Sequence, residues 1–265
     1  MLTWLYVPAT RPDRVAKALA GPAGVVIVDL EDAVAPDRKD AARAAAAALL
    51  AEPRPRVQVR INDVRTATGR ADLRALAGPA AGSAGLRIPK VESAAEMRDI
   101  ARAAPGVALH PLLESALGLE RAHEIATAHP AVASIGLGEA DLRADLGLGP
   151  GEAPLAWARS RIVVAARAAG LPAPAQSVYP DVRDPAGLAA SCRAGREIGL
   201  RGRAAIHPAQ LAVIEAAYRP TPAEVAAAEE VVAAAGAGAV ALPDGRFVDE
   251  AIVRQARSII ADAAL

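Results

Sequence analysis

Asp29, Glu31 and Asp32 crowd three carboxylates into four residues, directly after the apolar run Val25-Val26-Ile27-Val28. Like charges this close repel one another, so a cation, a basic side chain or a shared proton must settle them. The run before them is short, β-branched and without alternation, which reads as a strand buried on both faces. Acids at the carboxyl end of such a strand stand where α/β sheets and barrels bind ligands. The pattern recurs along the chain. Arg60 and Asn62 lie in Val59-Arg60-Ile61-Asn62, Lys90 and Glu92 in Pro89-Lys90-Val91-Glu92, and Glu114 and Ser115 follow Leu112-Leu113. Glu139 and Asp141 follow Gly138, Tyr179 and Asp181 close another run, and His207 sits in Ile206-His207-Pro208. Glu114 and Asp141, with no His or Cys cluster nearby, suit a hard cation with oxygen ligands such as Mg²⁺. The competing roles are an ion pair between Glu114 and a buried arginine, and an Asp141 that merely caps a helix. The planar fork of Arg60 suits a substrate carboxylate or an internal pair with Glu31 or Asp32. Lys90 neutralises the acids or binds substrate; nothing marks it as a Schiff-base lysine. His207, lodged before a proline, reads as a loop-orienting residue rather than a base.

These groups need a frame. Strand candidates are 2–7, 24–29, 56–61, 84–88, 107–113, 132–137, 174–179 and 203–206, and Ala-rich amphipathic stretches at 37–51, 93–104, 115–128, 154–169 and 184–198 separate most of them. This alternation predicts an α/β fold, a (β/α)8 TIM barrel over residues 1–215, with a doubly wound open sheet as the alternative. Residues 216–265 read as a C-terminal helical extension without buried strands. Thr221-Pro222-Ala223-Glu224 predicts a helix start, Pro243-Asp244-Gly245-Arg246 a tight turn, and 249–263 a last helix.

Composition excludes several classes. Of 265 residues, 53% are apolar but only six are aromatic, so Ala, Val, Leu and Ile must fill the core. Basic and acidic residues balance at 30 each, which leaves no net field to recruit nucleic acid or an anionic membrane. The single cysteine, Cys192, allows no internal disulfide and suits a reducing compartment. No apolar run approaches the ~20 residues of a membrane span, and the first residues lack a signal-peptide pattern. A cytoplasmic globule is expected. No zinc spacing, nucleophile elbow or dinucleotide fingerprint appears.

Eight segments, in order, carry a family resemblance: Val7-Pro8-Ala9-Thr10-Arg11-Pro12, Asp29-Leu30-Glu31-Asp32-Ala33-Val34, Val59-Arg60-Ile61-Asn62, Pro89-Lys90-Val91-Glu92, Leu113-Glu114-Ser115-Ala116-Leu117-Gly118, Gly138-Glu139-Ala140-Asp141-Leu142, Ala205-Ile206-His207-Pro208-Ala209-Gln210 and Gly245-Arg246-Phe247-Val248-Asp249. The chain resembles the citrate lyase β-subunit-like enzymes of the HpcH/HpaI aldolase superfamily, which include malyl-CoA and citramalyl-CoA lyases. The resemblance implies Mg²⁺ held by Glu114 and Asp141, with Glu31 and Asp32 behind its waters. It implies substrate and coenzyme A contacts from Arg11, Arg14, Arg60, Lys90, Glu114 and Ala140, and catalytic roles for Arg60, Asp32 and Asp249. By itself, Asp249 reads as an N-cap for the last helix. The resemblance instead places it on a C-terminal lid that enters a neighbouring subunit of a homo-oligomer, a trimer closed by heterologous contacts. One departure stands out: Gln176 occupies a position where relatives commonly carry an acid, which puts the acyl pocket in question.

The implied reaction is cleavage of a 3-hydroxyacyl-CoA (citramalyl, malyl or citryl type) to a 2-oxo acid and a small acyl-CoA, with thioester hydrolysis as an added activity. Two other functions compete. One is the β subunit of a citrate lyase complex acting on a citryl-acyl-carrier protein. The other is a non-catalytic CoA-binding or assembly protein, which would not require Glu114, Asp141, Arg60 and Asp249 together.

Overall fold

The computed structural model describes residues 1–149, 151, 153–234, 240–241 and 247–263. The chain divides into two compact units, Leu2–Glu215 and Ala216–Leu265 with Met1.

The first unit is an α/β fold around a parallel seven-stranded sheet in the order β6-β5-β4-β3-β2-β1-β7. Its strands are β1 (Thr3–Pro8), β2 (Val25–Asp29), β3 (Arg54–Arg60), β4 (Ser83–Ile88), β5 (Leu109–Leu113), β6 (Gly136–Leu137) and β7 (Arg203–Ala205). All five residues of β2 and of β5 are buried, Asp29 and His110 included, as in parallel strands covered on both faces. Helices follow the strands: α1 (Pro12–Ala20), α2 (Lys39–Leu49), α3 (Ala67–Leu76), α4 (Ala94–Ala103), α5 (Ala116–Glu120), α6 (Ala122–Ala126), α7 (Glu139–Asp145), α8 (Ala156–Ala168), α9 (Pro185–Glu197) and α10 (Ala209–Tyr218), the last running into the second unit. Local chemistry sets their starts. Thr66, Ser93, Ser115 and Asp184 accept amide hydrogen bonds from the first turns of α3, α4, α5 and α9. Alanines such as Ala42, Ala46, Ala158 and Ala166 form the buried helix faces, so short side chains let helices lie close to the sheet.

The seventh expected strand, 174–179, does not form, and the eighth, 203–206, appears as β7. Only Gln176 bridges β7, its N–H donating to Gly202 and its carbonyl accepting from Ala204, both at 2.9 Å. On the other side, the Ser177 hydroxyl donates to the carbonyl of Leu137, at the end of β6. Pro172, Pro174 and Pro180 remove ladder donors around this segment, which explains its lack of regular pairing. The strand expected at 132–137 is likewise reduced to Gly136–Leu137 plus one bridge from Val132 to Leu109.

In the second unit, α11 (Pro222–Ala234) packs on α12 (Glu250–Ala263) around Ala228, Val231, Val248, Val253 and Ala256. The start of α11 is a capping box: Thr221 Oγ1 accepts from the Glu224 amide, and Glu224 Oε2 accepts from the Thr221 amide. Beside the helices, a short antiparallel pair joins β8 (Val240–Ala241) to β9 (Phe247–Val248). The expected turn at 243–246 lies outside the described residues.

Candidate active site

The carboxyl ends of β2 to β6 bring the strand-end acids and bases together. Asp29, 1% exposed, ends β2 beside Arg60 of β3, its partner in register. Arg60 grips Asp29 with two hydrogen bonds of 2.7 Å from Nε and Nη2. Asp29 also accepts from the amides of Glu31 and Ala33, which folds the chain back after the strand. Lys39 Nζ donates to the carbonyls of Leu30 and Glu31, and Asn62 donates to that of Leu30. The turn carrying Glu31 and Asp32 is therefore pinned from three sides.

Glu31 points into the cluster and Asp32 to its rim, with side chains 8% and 65% exposed. Arg60 Nη1 lies 2.8 Å from Glu31 Oε2 and 3.2 Å from Asp32 Oδ2, while Tyr6 lies under the guanidinium, 5.0 Å from its ring centre. Burial works against the Arg60 charge, but Asp29 outweighs it and raises the pKa. Arg60 thus makes the internal pairs weighed for it, with the addition that its fork belongs to Asp29. Any substrate carboxylate would meet only Nη1.

Lys90 stands at the centre. Its Nζ is 2.6 Å from Glu31 Oε1, 3.3 Å from Asp141 Oδ2 and 3.5 Å from Glu114 Oε2. Burial opposes its charge; the bond to Glu31 and the charges of Glu114 and Asp141 prevail and raise its pKa, which favours the charged ammonium. Lys90 is also the one non-glycine residue with positive φ among those described, at 56°. That left-handed backbone costs roughly 1 kcal/mol for such a residue, and it turns the side chain back over the acids.

Glu114 is 4% exposed at the end of β5. Gly138 presses against it so closely that a Cβ there would lie 2.3 Å from Glu114 Oε1. Glu114 Oε2 is buried without a hydrogen-bond donor, and Glu31 Oε2 shares that state despite its ion-pair distance to Arg60. Burial first, then the Glu31 charge, push the Glu114 carboxyl up to about 8, against the pull of Lys90. Burial likewise raises Glu31. Asp141 lies in the first turn of α7, whose cap residue Gly138 supplies no side chain, and turns its carboxylate to Lys90. Neither competing role, a buried arginine for Glu114 or simple helix capping by Asp141, accounts for these contacts.

The donor set fits a hard divalent cation. One buried carboxylate oxygen lacks a donor, a second acid stands across the same lysine, and neither is an imidazole or thiolate. Among the described residues no group of three or more His, Cys, Asp or Glu converges as a complete cage. Mg²⁺ commonly takes one or two carboxylates and leaves its other positions to water and substrate.

Other expected residues lie elsewhere. Arg11 pairs with Asp13 at 2.8 Å on the exposed start of α1, beside Arg14. Ala140 is exposed in the first turn of α7. His207 Nδ1 accepts from the Ala209 amide, consistent with a loop-orienting role. Gln176 Nε2 donates to the Ser191 carbonyl of α9. In its own unit, Asp249 caps α12, accepting from the Ile252 amide at 3.0 Å. Three supports carried no assigned role from sequence: Asp29 as the Arg60 anchor, Gly138 as the surface against Glu114, and Arg159, which holds Glu139 through bonds of 2.8 and 2.6 Å.

Residues 2–208 match the HpcH/HpaI aldolase/citrate lyase family, and the chain belongs to it. A relative named (3S)-malyl-CoA thioesterase, from Cereibacter sphaeroides, is 37% identical over 98% of this chain and 93% of its own length. The citrate lyase subunit beta-like protein of Mycobacterium tuberculosis is 39% identical over 97% of this chain and 93% of its own. A crystal structure of Mycobacterium tuberculosis CitE in complex with magnesium, acetoacetate and coenzyme A superposes with a TM-score of 0.86 at 38% identity, covering 100% of this chain and 98% of that one. No helix among the described residues is long and apolar enough to cross a membrane.

Proposed function

We propose that this chain is a Mg²⁺-dependent carbon–carbon lyase that cleaves a 3-hydroxyacyl-CoA to a 2-oxo acid and a small acyl-CoA. The observation that carries this reading is the buried, donor-less Glu114 Oε2 set among Glu31, Lys90 and Asp141 at the strand ends. Glu114 and Asp141 would hold the ion, with Glu31 and Asp32 behind its waters. Bound there, magnesium would supply a Lewis acid and template for a hydroxy acid.

The chain's own groups then divide the work. Arg60, locked by Asp29, presents Nη1 to the substrate carboxylate. Lys90 adds preorganised positive charge where negative charge develops. Asp32, the most exposed acid of the cluster, takes the hydroxyl proton as the carbon–carbon bond breaks to the 2-oxo acid and an acyl-CoA enolate. Asp249 protonates the enolate carbon; run backwards, it removes that proton. The family resemblance supports this role, with Asp249 delivered by the second unit of a neighbouring copy in a trimer in the cytoplasm. Arg11 and Arg14 contact the coenzyme A phosphates beside the first amides of α1.

Water admitted to the same site would hydrolyse the thioester, and the thioesterase name of a 37% identical relative favours this as a second activity. The name citrate lyase subunit beta-like favours a third assignment, action on a carrier-protein thioester with partner chains. Isothermal titration with Mg²⁺ tests the central assignment. Micromolar-to-millimolar binding that Glu114→Gln and Asp141→Asn each weaken by more than about tenfold supports it. Binding that survives both substitutions overturns it.

A further inference from the structure

The face of the sheet that carries Glu114 also carries a cation that the proposed reaction does not use. A Cβ at Gly138 would touch Glu114, and a Cβ at Gly136, two residues earlier and on the same face, would lie 3.9 Å from Arg87 Nη1. Arg87 is 8% exposed on β4. Its Nε and Nη2 both bond one neutral acceptor, Gln58 Oε1, at 3.3 and 3.0 Å. Its Nη1 has no partner among the described residues. In register it lies beside Arg60 on one side and His110 on the other. Asp29 neutralises Arg60, whereas no carboxylate among the described residues pairs with Arg87. His110 offers no compensation, because Ser134 Oγ and the Ala84 carbonyl hold its two ring nitrogens at 2.8 Å each.

A guanidinium this buried is normally paired. Gly136 brings no side chain to Nη1, and a Cβ there would lie 3.9 Å from Nη1 and only 3.0 Å from Leu112 Cδ2, so the bare glycine and the apolar Leu112 border one side of the guanidinium. Two residues along a strand separate this spot from Glu114, roughly 6–7 Å, a short carbon chain away from the carboxylate cluster.

We propose that Arg87 and Gly136 form a subsite for a second carboxylate on the 2-oxo-acid half of the substrate, so that a dicarboxylic 2-oxo acid is preferred over one ending in hydrogen or methyl. The proposal deepens the lyase reading and rests on it for the reaction, but the subsite can be tested without turnover. Oxaloacetate and pyruvate share the 2-oxo-acid head and differ in this extra carboxylate. Each is titrated into the full chain in Mg²⁺-containing buffer, with no thioester present. Oxaloacetate is expected to bind at least about tenfold more tightly than pyruvate, the range of a hydrogen bond to a charged group. Arg87→Met should bring that ratio near unity, Arg87→Lys should restore part of it, and Gly136→Ala should lower it by crowding Leu112 beside Nη1. Equal affinities in the unsubstituted chain, or no binding of oxaloacetate, overturn the proposal without any variant having to fold. A ratio unchanged in Arg87→Met does the same. Tighter oxaloacetate binding that depends on Arg87, in a chain that cleaves no CoA thioester, would uphold the subsite while refuting the lyase reading.

Discussion

Replacing Gly138 by alanine isolates the geometry on which the metal assignment depends. The added methyl would sit 2.3, 2.5 and 2.6 Å from Oε1, Cγ and Cδ of Glu114, three atoms of one side chain. Ordinary contacts begin near 3.4 Å, so the carboxylate must retreat by about 1 Å or the strand end must move. The Gly138 backbone is at φ −95°, open to any residue, so the effect acts through Glu114 and not through backbone strain. Overpacking of this kind costs about 1–3 kcal/mol. Displacing a metal-binding or reacting group by 1 Å costs about 100-fold in function. Chemical denaturation and Mg²⁺ titration of Gly138→Ala should therefore show a modest loss of stability and a loss of Mg²⁺ affinity of about 10- to 100-fold. Shortening the neighbour, in Gly138→Ala with Glu114→Asp, should return part of the stability but not the affinity. A folded Gly138→Ala chain that binds Mg²⁺ as before would refute the reasoning.

Further outcomes follow from the same contacts. His110, in the ordinary range in the unfolded chain, is pushed down to about 4 by burial and by the Arg87 charge. Below its unfolded pKa the unfolded chain binds the proton and the folded chain does not, so stability is complete above about pH 6.5 and falls toward pH 4; at pH 5 the loss is about 2 kcal/mol. Urea titrations at pH 7 and 5 should show this component in the parent and not in His110→Asn. Asp29→Ala leaves Arg60, with a side chain 13% exposed, without its bidentate partner, and should cost about 3 kcal/mol in denaturant midpoint analysis; less than about 1 kcal/mol would mean that Glu31 and Asp32 hold Arg60 unaided. Asp249→Ala removes the α12 cap and should cost about 1 kcal/mol, abolish turnover and leave Mg²⁺ affinity intact. Mixing inactive Asp249→Ala with inactive Glu114→Gln chains and allowing subunits to exchange should restore part of the activity, and no recovery would refute a site shared between copies.

The strand that carries the first acids was legible because Val25–Val28 admits little else: β-branched, apolar, and cut off by Asp29. Meeting of the strand-end groups followed from parallel order, since successive strands in such a sheet end on the same side. Individual partners did not follow. Asp29, Glu31 and Asp32 are all within reach of Arg60 in sequence terms, and only the register between β2 and β3 gives the fork to Asp29. The positive φ of Lys90 has no sequence signal, because lysine has no preference for that conformation. Arg87 was hidden inside Leu86-Arg87-Ile88, where apolar neighbours mask which face the charge takes. The seventh expected strand, 174–179, failed for a readable reason, the prolines at 172, 174 and 180, which alternation alone outweighed.

The most direct test is turnover. Purified protein is incubated with citramalyl-CoA, malyl-CoA and citryl-CoA in turn, with Mg²⁺ or EDTA, while pyruvate, glyoxylate or oxaloacetate and free thiol are measured. Release of a 2-oxo acid from at least one thioester is expected, lost with EDTA and in Glu114→Gln. Metal-independent cleavage, or thiol release with no 2-oxo acid from any of the three, would contradict it.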